Sequence, residues 1–383
     1  MLTAYTANRA LLADGVLSDA AVVLVEDGRI LQVAAADALE VPSGARTVAL
    51  GDTLLAPALV DVHCHGSAGH DVMEASKDGE RAMAAFLASH GVGRFLATTV
   101  TASVDSTLQA LERIAHWIER DDHREGARPV GIHLEGPFIS HGKRGVQPDE
   151  HIQSPSVEMF DRFHQASRGH ILLMTIAPEI PGAVELIRHA ASQGVKISLG
   201  HSEATAAQGR AGIAAGAVSA THCFNAMRGF DHREAGLAGL VLDECALYAE
   251  LICDGHHVSD EAIRLFTAAK PADRRILITD AISATGQGDG KFRLGDLQVT
   301  VEGARAMLDG KLAGSVLTLD RGVGKFLAAT GCGLAEAAVA AGANPARMLG
   351  LSAKLEPGAD ADFVALDASG RLVATVLAGC RIG

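Results

Sequence analysis

Aromatic residues are scarce in this chain: 1 Trp, 2 Tyr and 11 Phe among 383 residues. The core must therefore be aliphatic, built from Ala, Val, Leu and Ile. Basic residues are also in deficit, with 33 Lys and Arg against 46 Asp and Glu, a formal net charge of −13. That balance excludes a nucleic-acid binder, which needs a basic surface to neutralise phosphates. It equally disfavours adhesion to an anionic membrane. No run reaches the roughly 18 unbroken apolar residues of a membrane span. The opening MLTAYTANRALLADG has no basic stretch followed by a long apolar run, so neither export nor anchoring is expected. Cys64, Cys223, Cys245, Cys253, Cys332 and Cys380 form no CxxC pair. In a chain of this length that is the pattern of a reduced cytoplasmic enzyme. Proline is sparse (11) beside 42 glycines, which suggests many tight turns between regular elements.

What the chain does have is two rhythms. The first 56 residues read as short strands, with an Asp-Gly turn inside AAVVLVEDGRILQVA marking a hairpin. The end of the chain, ADFVALDASGRLVATVLAGCRIG, repeats the style. Residues 1–56 and 350–383 are therefore expected to meet in one small β-sandwich domain. Between them, eight β-rich apolar runs stand at 58–66, 93–100, 129–137, 171–179, 195–201, 217–225, 246–255 and 275–281. Helical patterning separates them. Buried parallel strands read as near-continuous hydrophobic runs, and eight strand–helix alternations predict a (β/α)₈ TIM barrel over 57–349. After the eighth run, LQVTVEGARAMLDGKLAG reads as a hairpin, with helices following at about 315–330 and 333–349.

The polar residues fall at telling places. His63 and His65 end the first run, Glu135 the third, His201 the fifth; His222 lies late in the sixth. Asp254 and His257 follow the seventh, and Asp280 ends the eighth. In such a barrel the active site lies at the C-terminal strand ends, so residues far apart in sequence converge on one rim. His-x-His on a strand puts both imidazoles on one face, while the intervening Cys64 points away. Imidazole with carboxylate suits zinc, iron, nickel or cobalt, and such an ion lowers the pKa of a water towards about 7. Asp280 is then placed as a general base and acid. Taken singly, Glu135 could cap the next segment and Asp280 a following helix. Four histidines and two carboxylates on five strand ends make a metal site the expectation.

At these residues the chain resembles the amidohydrolase superfamily and, within it, the N-acetylglucosamine-6-phosphate deacetylase family. LLAPALVDVHCHGSAGHDV, GIHLEGPFIS, ISLGHSEAT, THCFNAM, HREAGLAG, DGHHVS, ITDAISATG and KLAGSVLTLDRGV follow in the family order and span almost the whole chain. The resemblance implies hydrolysis of the N-acetyl group of N-acetyl-D-glucosamine 6-phosphate to D-glucosamine 6-phosphate and acetate, in amino-sugar catabolism and cell-wall sugar recycling. It implies Glu135, His201 and His222 as principal metal ligands and Asp280 as catalytic acid and base. For substrate it implies Val146, Gln147, Asn225, Ala226, Arg233, His257, Leu312, Ala313 and Gly314, with Arg233 and His257 on the phosphate. Relatives that keep both His63 and His65 equivalents can hold a second metal, so one or two divalent ions per chain are implied: zinc first, then Fe²⁺, Co²⁺, Ni²⁺ or Mn²⁺. Some relatives carry His where this chain has Gln147; Gln can donate a hydrogen bond but cannot be a cation. In relatives some phosphate contacts cross a dimer interface, which implies a homodimer. The substrate phosphate would meet Lys143, Arg144, Arg228, Arg233 and His257 inside an otherwise acidic protein.

Two alternatives stand beside this reading. One is a related amidohydrolase, above all a deacetylase of N-acetylgalactosamine 6-phosphate. Cyclic-amide members are disfavoured, because the fourth run ILLMTIAPE lacks the lysine that bridges their metals. The other is a silent barrel that only binds a sugar phosphate or a partner protein, which the full ligand set disfavours.

Overall fold

The computed structural model describes residues 2–12, 15, 17–120 and 126–382. Its centre is an eight-stranded parallel sheet in chain order: Leu59–Cys64, Val92–Thr99, Arg128–Glu135, Ile171–Ile176, Lys196–Leu199, Ala217–Ala220, Tyr248–Ile252 and Arg275–Ile278. All eight apolar runs read from the sequence are barrel strands. The eighth strand returns to the first just beyond their ends: the Asp280 N–H donates to the His63 carbonyl (2.9 Å), and the His65 N–H to the Ala281 carbonyl (2.8 Å). These bonds bring the two ends of the sheet together and fix Asp280 beside the His63–His65 pair.

Helices follow the strands, and several begin with a hydroxyl cap. Ser76, Ser103, Ser156, Thr205 and Ser259 each accept a hydrogen bond from the backbone N–H three residues on. Such caps contribute roughly 1 kcal/mol apiece, and they set where each βα loop ends. Between strands and helices lies an aliphatic layer with Phe95, Phe160, Phe163, Phe266 and Phe326 fully buried in it. Alanine is abundant there, letting helices sit close to the sheet.

The barrel interior near its C-terminal end is not aliphatic. His133 Nε2 meets Thr175 Oγ1 (2.8 Å), Thr175 meets Thr221 Oγ1 (2.7 Å), and Thr221 donates to Ser198 Oγ (2.7 Å). Asp61 accepts from Thr279 Oγ1 (2.6 Å). The Thr175–Thr221 contact skips the fifth strand, so these side chains meet inside the barrel. All are fully or almost fully buried, and together they form a polar floor beneath the strand ends.

Strands from both chain ends form a second sheet: Thr3–Leu11, Leu17–Glu26, Arg29–Ala35, Arg46–Ala49, Leu54–Pro57, Phe363–Leu366, Leu372–Leu377 and Cys380–Ile382. It has its own apolar interior, with Tyr5 edge-on to Phe363 at 5.1 Å between centroids. The insertion after the eighth barrel strand is larger than the expected hairpin. Gly290–Leu294 pairs with Leu297–Glu302, which continues through Arg305–Leu308 to Lys311–Leu312 as a four-stranded meander. The extra strand alternates exposed and half-buried positions, too polar to register as a strand. Its apolar face packs Leu294, Val299, Val301 and Ala306 on Met73, Val100 and Ala102 from the first two βα loops. The helix expected at 333–349 is two, Leu334–Ala341 and Ala343–Leu349, broken at Gly342.

Candidate active site

Three of the six expected ligand positions have an unusual backbone. His201, His222 and Asp280 have φ of 47°, 29° and 52°, in the left-handed region that costs a non-glycine residue about 1–2 kcal/mol. Each lies two residues beyond the end of its strand, and the turn swings the side chain over the barrel mouth. Glu135 instead ends its strand and is followed by Gly136 at φ +77°. A Cβ at Gly136 would lie 2.1 Å from Thr101 Oγ1, so only glycine permits this turn.

The six side chains meet in two adjoining groups, His63–His65–Asp280 and Glu135–His201–His222. Glu135 Oε1 lies 3.2 Å from Nε2 of His201, His222 and His63 alike. Its Oε2 is 3.4 Å from His65 Nε2. Asp280 Oδ1 lies 3.2 Å from His65 Nε2 and 3.5 Å from His63 Nε2. The His63–His65 and His201–His222 Nε2 pairs are each 3.2 Å apart. Zinc–nitrogen bonds of about 2.0–2.1 Å place neighbouring nitrogens of a tetrahedron about 3.3 Å apart. The spacing therefore fits a divalent transition metal in each group.

Each imidazole also needs its other nitrogen oriented, so that Nε2 presents a lone pair. His65 Nδ1 faces the Thr98 carbonyl (3.1 Å) and His201 Nδ1 the Lys143 carbonyl (2.8 Å). His63 Nδ1 faces a carboxylate, Glu250 Oε2, at 3.4 Å. Among the described residues no Lys or Arg pairs with Glu135, Asp280 or Glu250. Positive charge must come from the imidazoles or from a cation, and the proton affinities reflect it. Burial lowers that of His65, but hydrogen bonds to Asp280 and Glu135 outweigh it and raise its pKa to about 9. Glu135 is pushed up by burial and drawn well below the usual carboxylate range by His63 and His201. His133, under the cluster, is held neutral by burial and by the charge of His63.

A cavity of about 170 Å³ opens above this cluster. Val146, Gln147, Asn225, Ala226, His257, Leu312 and Gly314 line it with Arg144, Val100 and Leu294. Ala313 is buried in the core under the insertion sheet and does not line it. Neither does Arg233, which lies exposed in the loop after the sixth strand, its N–H held by Asp231 Oδ1 (2.9 Å). Arg144 takes a place at the rim, 3.5 Å from Asp149. His257 Nδ1 is 2.7 Å from Asp254 Oδ2; burial lowers its proton affinity, and Asp254 more than restores it, so its pKa stands above 6.5. Gln147 Oε1 accepts the Thr101 N–H (2.9 Å), and Nε2 donates to Glu135 Oε2 (2.9 Å). Sequence reasoning passed over Glu250, Asp61 and His133. The signal was present in each case: an ionisable residue within a run otherwise read as buried strand.

The amidohydrolase family model matches residues 54–380. The chain is 36% identical to the N-acetylglucosamine-6-phosphate deacetylase of Bacillus subtilis, over 93% of this chain and 91% of that one. It is 40% identical to the N-acetylgalactosamine-6-phosphate deacetylase of Escherichia coli, over 82% and 84%. Among solved structures, a Mycobacterium smegmatis N-acetyl-D-glucosamine-6-phosphate deacetylase variant in complex with N-acetyl-D-glucosamine-6-phosphate superposes with a TM-score of 0.93 at 34% identity, covering 100% of this chain and 99% of that one. The Thermotoga maritima enzyme of the same name superposes at 0.87 and 32% identity, with the same coverage. The chain belongs to the amidohydrolase family, in its N-acetylglucosamine-6-phosphate deacetylase branch.

Proposed function

We infer that this chain hydrolyses the N-acetyl group of N-acetyl-D-glucosamine 6-phosphate, releasing acetate and D-glucosamine 6-phosphate. The observation that carries the reading is the ligand cluster under a small cavity, in a chain whose whole length matches deacetylases of this substrate. The galactosamine epimer is less favoured. Its deacetylase matches 82% of the chain, whereas the Bacillus subtilis glucosamine enzyme matches 93% in sequence and the Mycobacterium smegmatis one all of it in structure.

Glu135, His201 and His222 would hold one divalent cation and His63, His65 and Asp280 a second, with Glu135 between them. The donor set suits zinc, with Fe²⁺, Co²⁺, Ni²⁺ or Mn²⁺ as alternatives. Two cations are favoured because Glu135, Asp280 and Glu250 bring three carboxylates together without a Lys or Arg. A bound cation supplies an acidified water and polarises the acetyl carbonyl. Asp280, 13% exposed at the cavity floor, accepts the proton that the attacking water loses. It returns that proton to the amide nitrogen as the C–N bond breaks, so the amine leaves neutral. Gln147 positions Glu135 and spends both halves of its amide doing so. The charged His257–Asp254 pair offers a cationic donor to the phosphate, and Asn225 and Ala226 border the sugar.

Arg233 completes the phosphate site from a second copy of the chain. Supporting this, it projects from an exposed loop with Phe230 69% exposed beside it, an unusual cost unless a partner covers the loop. All six cysteines are free and no helix of the described residues is long and apolar enough to cross a membrane; a cytoplasmic location fits both. The test is acetate release from N-acetylglucosamine 6-phosphate, its galactosamine epimer and unphosphorylated N-acetylglucosamine. The first should give the highest kcat/KM. A higher value for either other sugar would displace the assignment.

A further inference from the structure

Glu250 occupies the middle of the seventh barrel strand and is fully buried. Its Oε2 lies 3.4 Å from His63 Nδ1 and 3.4 Å from the backbone nitrogen of His222. It thus stands behind one histidine of each ligand group, on the side away from the cavity. Its Oε1 has no hydrogen-bond partner. A buried, half-satisfied carboxylate costs stability, and a chain that needed only packing here would do better with an apolar residue. The four ligand histidines also differ in what orients them. His65 and His201 rest on backbone carbonyls; His63 alone rests on a carboxylate. A carboxylate behind an imidazole fixes its tautomer and raises its basicity as a ligand.

We propose that Glu250 is a positioning residue that sets the affinity of the His63–His65–Asp280 group for its cation, leaving the Glu135–His201–His222 group largely unaffected. The geometry separates the groups in this way. Glu250 reaches the donor nitrogen system of His63 directly, but at His222 it touches only the backbone. The inference rests on the two-cation reading above.

The test titrates metal-free protein with cobalt(II), followed by visible absorption. Wild type should show two binding events, the one belonging to His63 identified by its loss in His63→Ala. In Glu250→Gln, which keeps the shape, that event should weaken 10- to 100-fold, the usual effect of removing such a partner. The other event should not move. Unchanged affinities, or equal weakening of both, overturn the proposal. A single event in wild type overturns the two-cation reading, and this inference with it. Glu250→Asp keeps the charge but shortens the reach, so it decides the matter if the glutamine variant does not fold. It too should weaken only the His63 event, and an unchanged titration would contradict the proposal.

Discussion

Glu135 Oε1 lies 3.2 Å from His63 Nε2, so the carboxylate that ends the third strand touches the histidine pair that ends the first. The same oxygen is equally close to His201 and His222. One side chain therefore joins the two halves of the cluster, and removing different members should have different consequences.

Loss of His201 or His222 should abolish activity and remove the principal cation, because each is one of only three donors in its group. The His63→Ala, His65→Ala double variant should lose at most the second cation. Metal content by elemental analysis checks both. Full metal occupancy in His201→Ala would show that the cluster is not the binding site.

Asp280→Asn should keep the fold and the principal cation, yet lose at least about 10²-fold in kcat, the low end of a general acid–base contribution. Asparagine has nearly the same shape but cannot take up a proton. The second cation can leave with it, because Asp280 Oδ1 sits against His65 and His63. Single-turnover rates with metal content measured in parallel separate the two effects. Near-normal turnover would remove Asp280 from its role.

The phosphate reading gives a pH dependence. The pKa of His257 in the folded protein stands above its ordinary 6.5, so the cation is complete below 6.5 and is lost as pH rises through the raised value. KM for the phosphorylated sugar should therefore climb as pH rises through that value, while KM for unphosphorylated N-acetylglucosamine stays level. His257→Gln should abolish the difference between the two profiles. Parallel profiles in wild type would show that His257 does not meet the phosphate.

Arg233→Ala should raise KM for the phosphorylated sugar on the order of 30-fold or more, the lower range for breaking a desolvated charge pair, with far less effect on the unphosphorylated sugar. If the arginine serves the partner's site, mixing Arg233→Ala with Asp280→Asn chains should recover part of the activity. Mixed dimers pair one intact Asp280 site with one intact Arg233. Equal losses on both sugars would mark Arg233 as structural.

Much of this was legible in the sequence because barrel strands announce themselves. Each is a short, nearly continuous apolar run, and the fold rule then places a residue such as Asp280 beside His63 without any knowledge of contacts. Glu250 escaped because ALYAELICDG reads as one buried run, and only cross-barrel distances reveal that its glutamate faces His63. Gln147 was visible as a residue but not as a brace, since its partner Thr101 comes from another βα loop. How the rim charge is distributed within one chain was hidden for a related reason. Arg144 reaches the cavity and Arg233 does not, an outcome set by loop paths that local pattern does not encode. The strand Gly290–Leu294 was missed because an edge strand of an exposed meander carries too few buried positions to stand out.

The central claim, hydrolysis at this cluster by a metal-dependent route, is tested most directly by acetate release from N-acetylglucosamine 6-phosphate before and after metal removal. Protein stripped by a chelator and dialysed free of it should lose activity and regain it on adding back one or two equivalents of zinc or another divalent transition metal per chain. His201→Ala protein treated the same way should regain none. Full activity in stripped protein with no detectable metal, or full recovery in the His201 variant, would contradict the account.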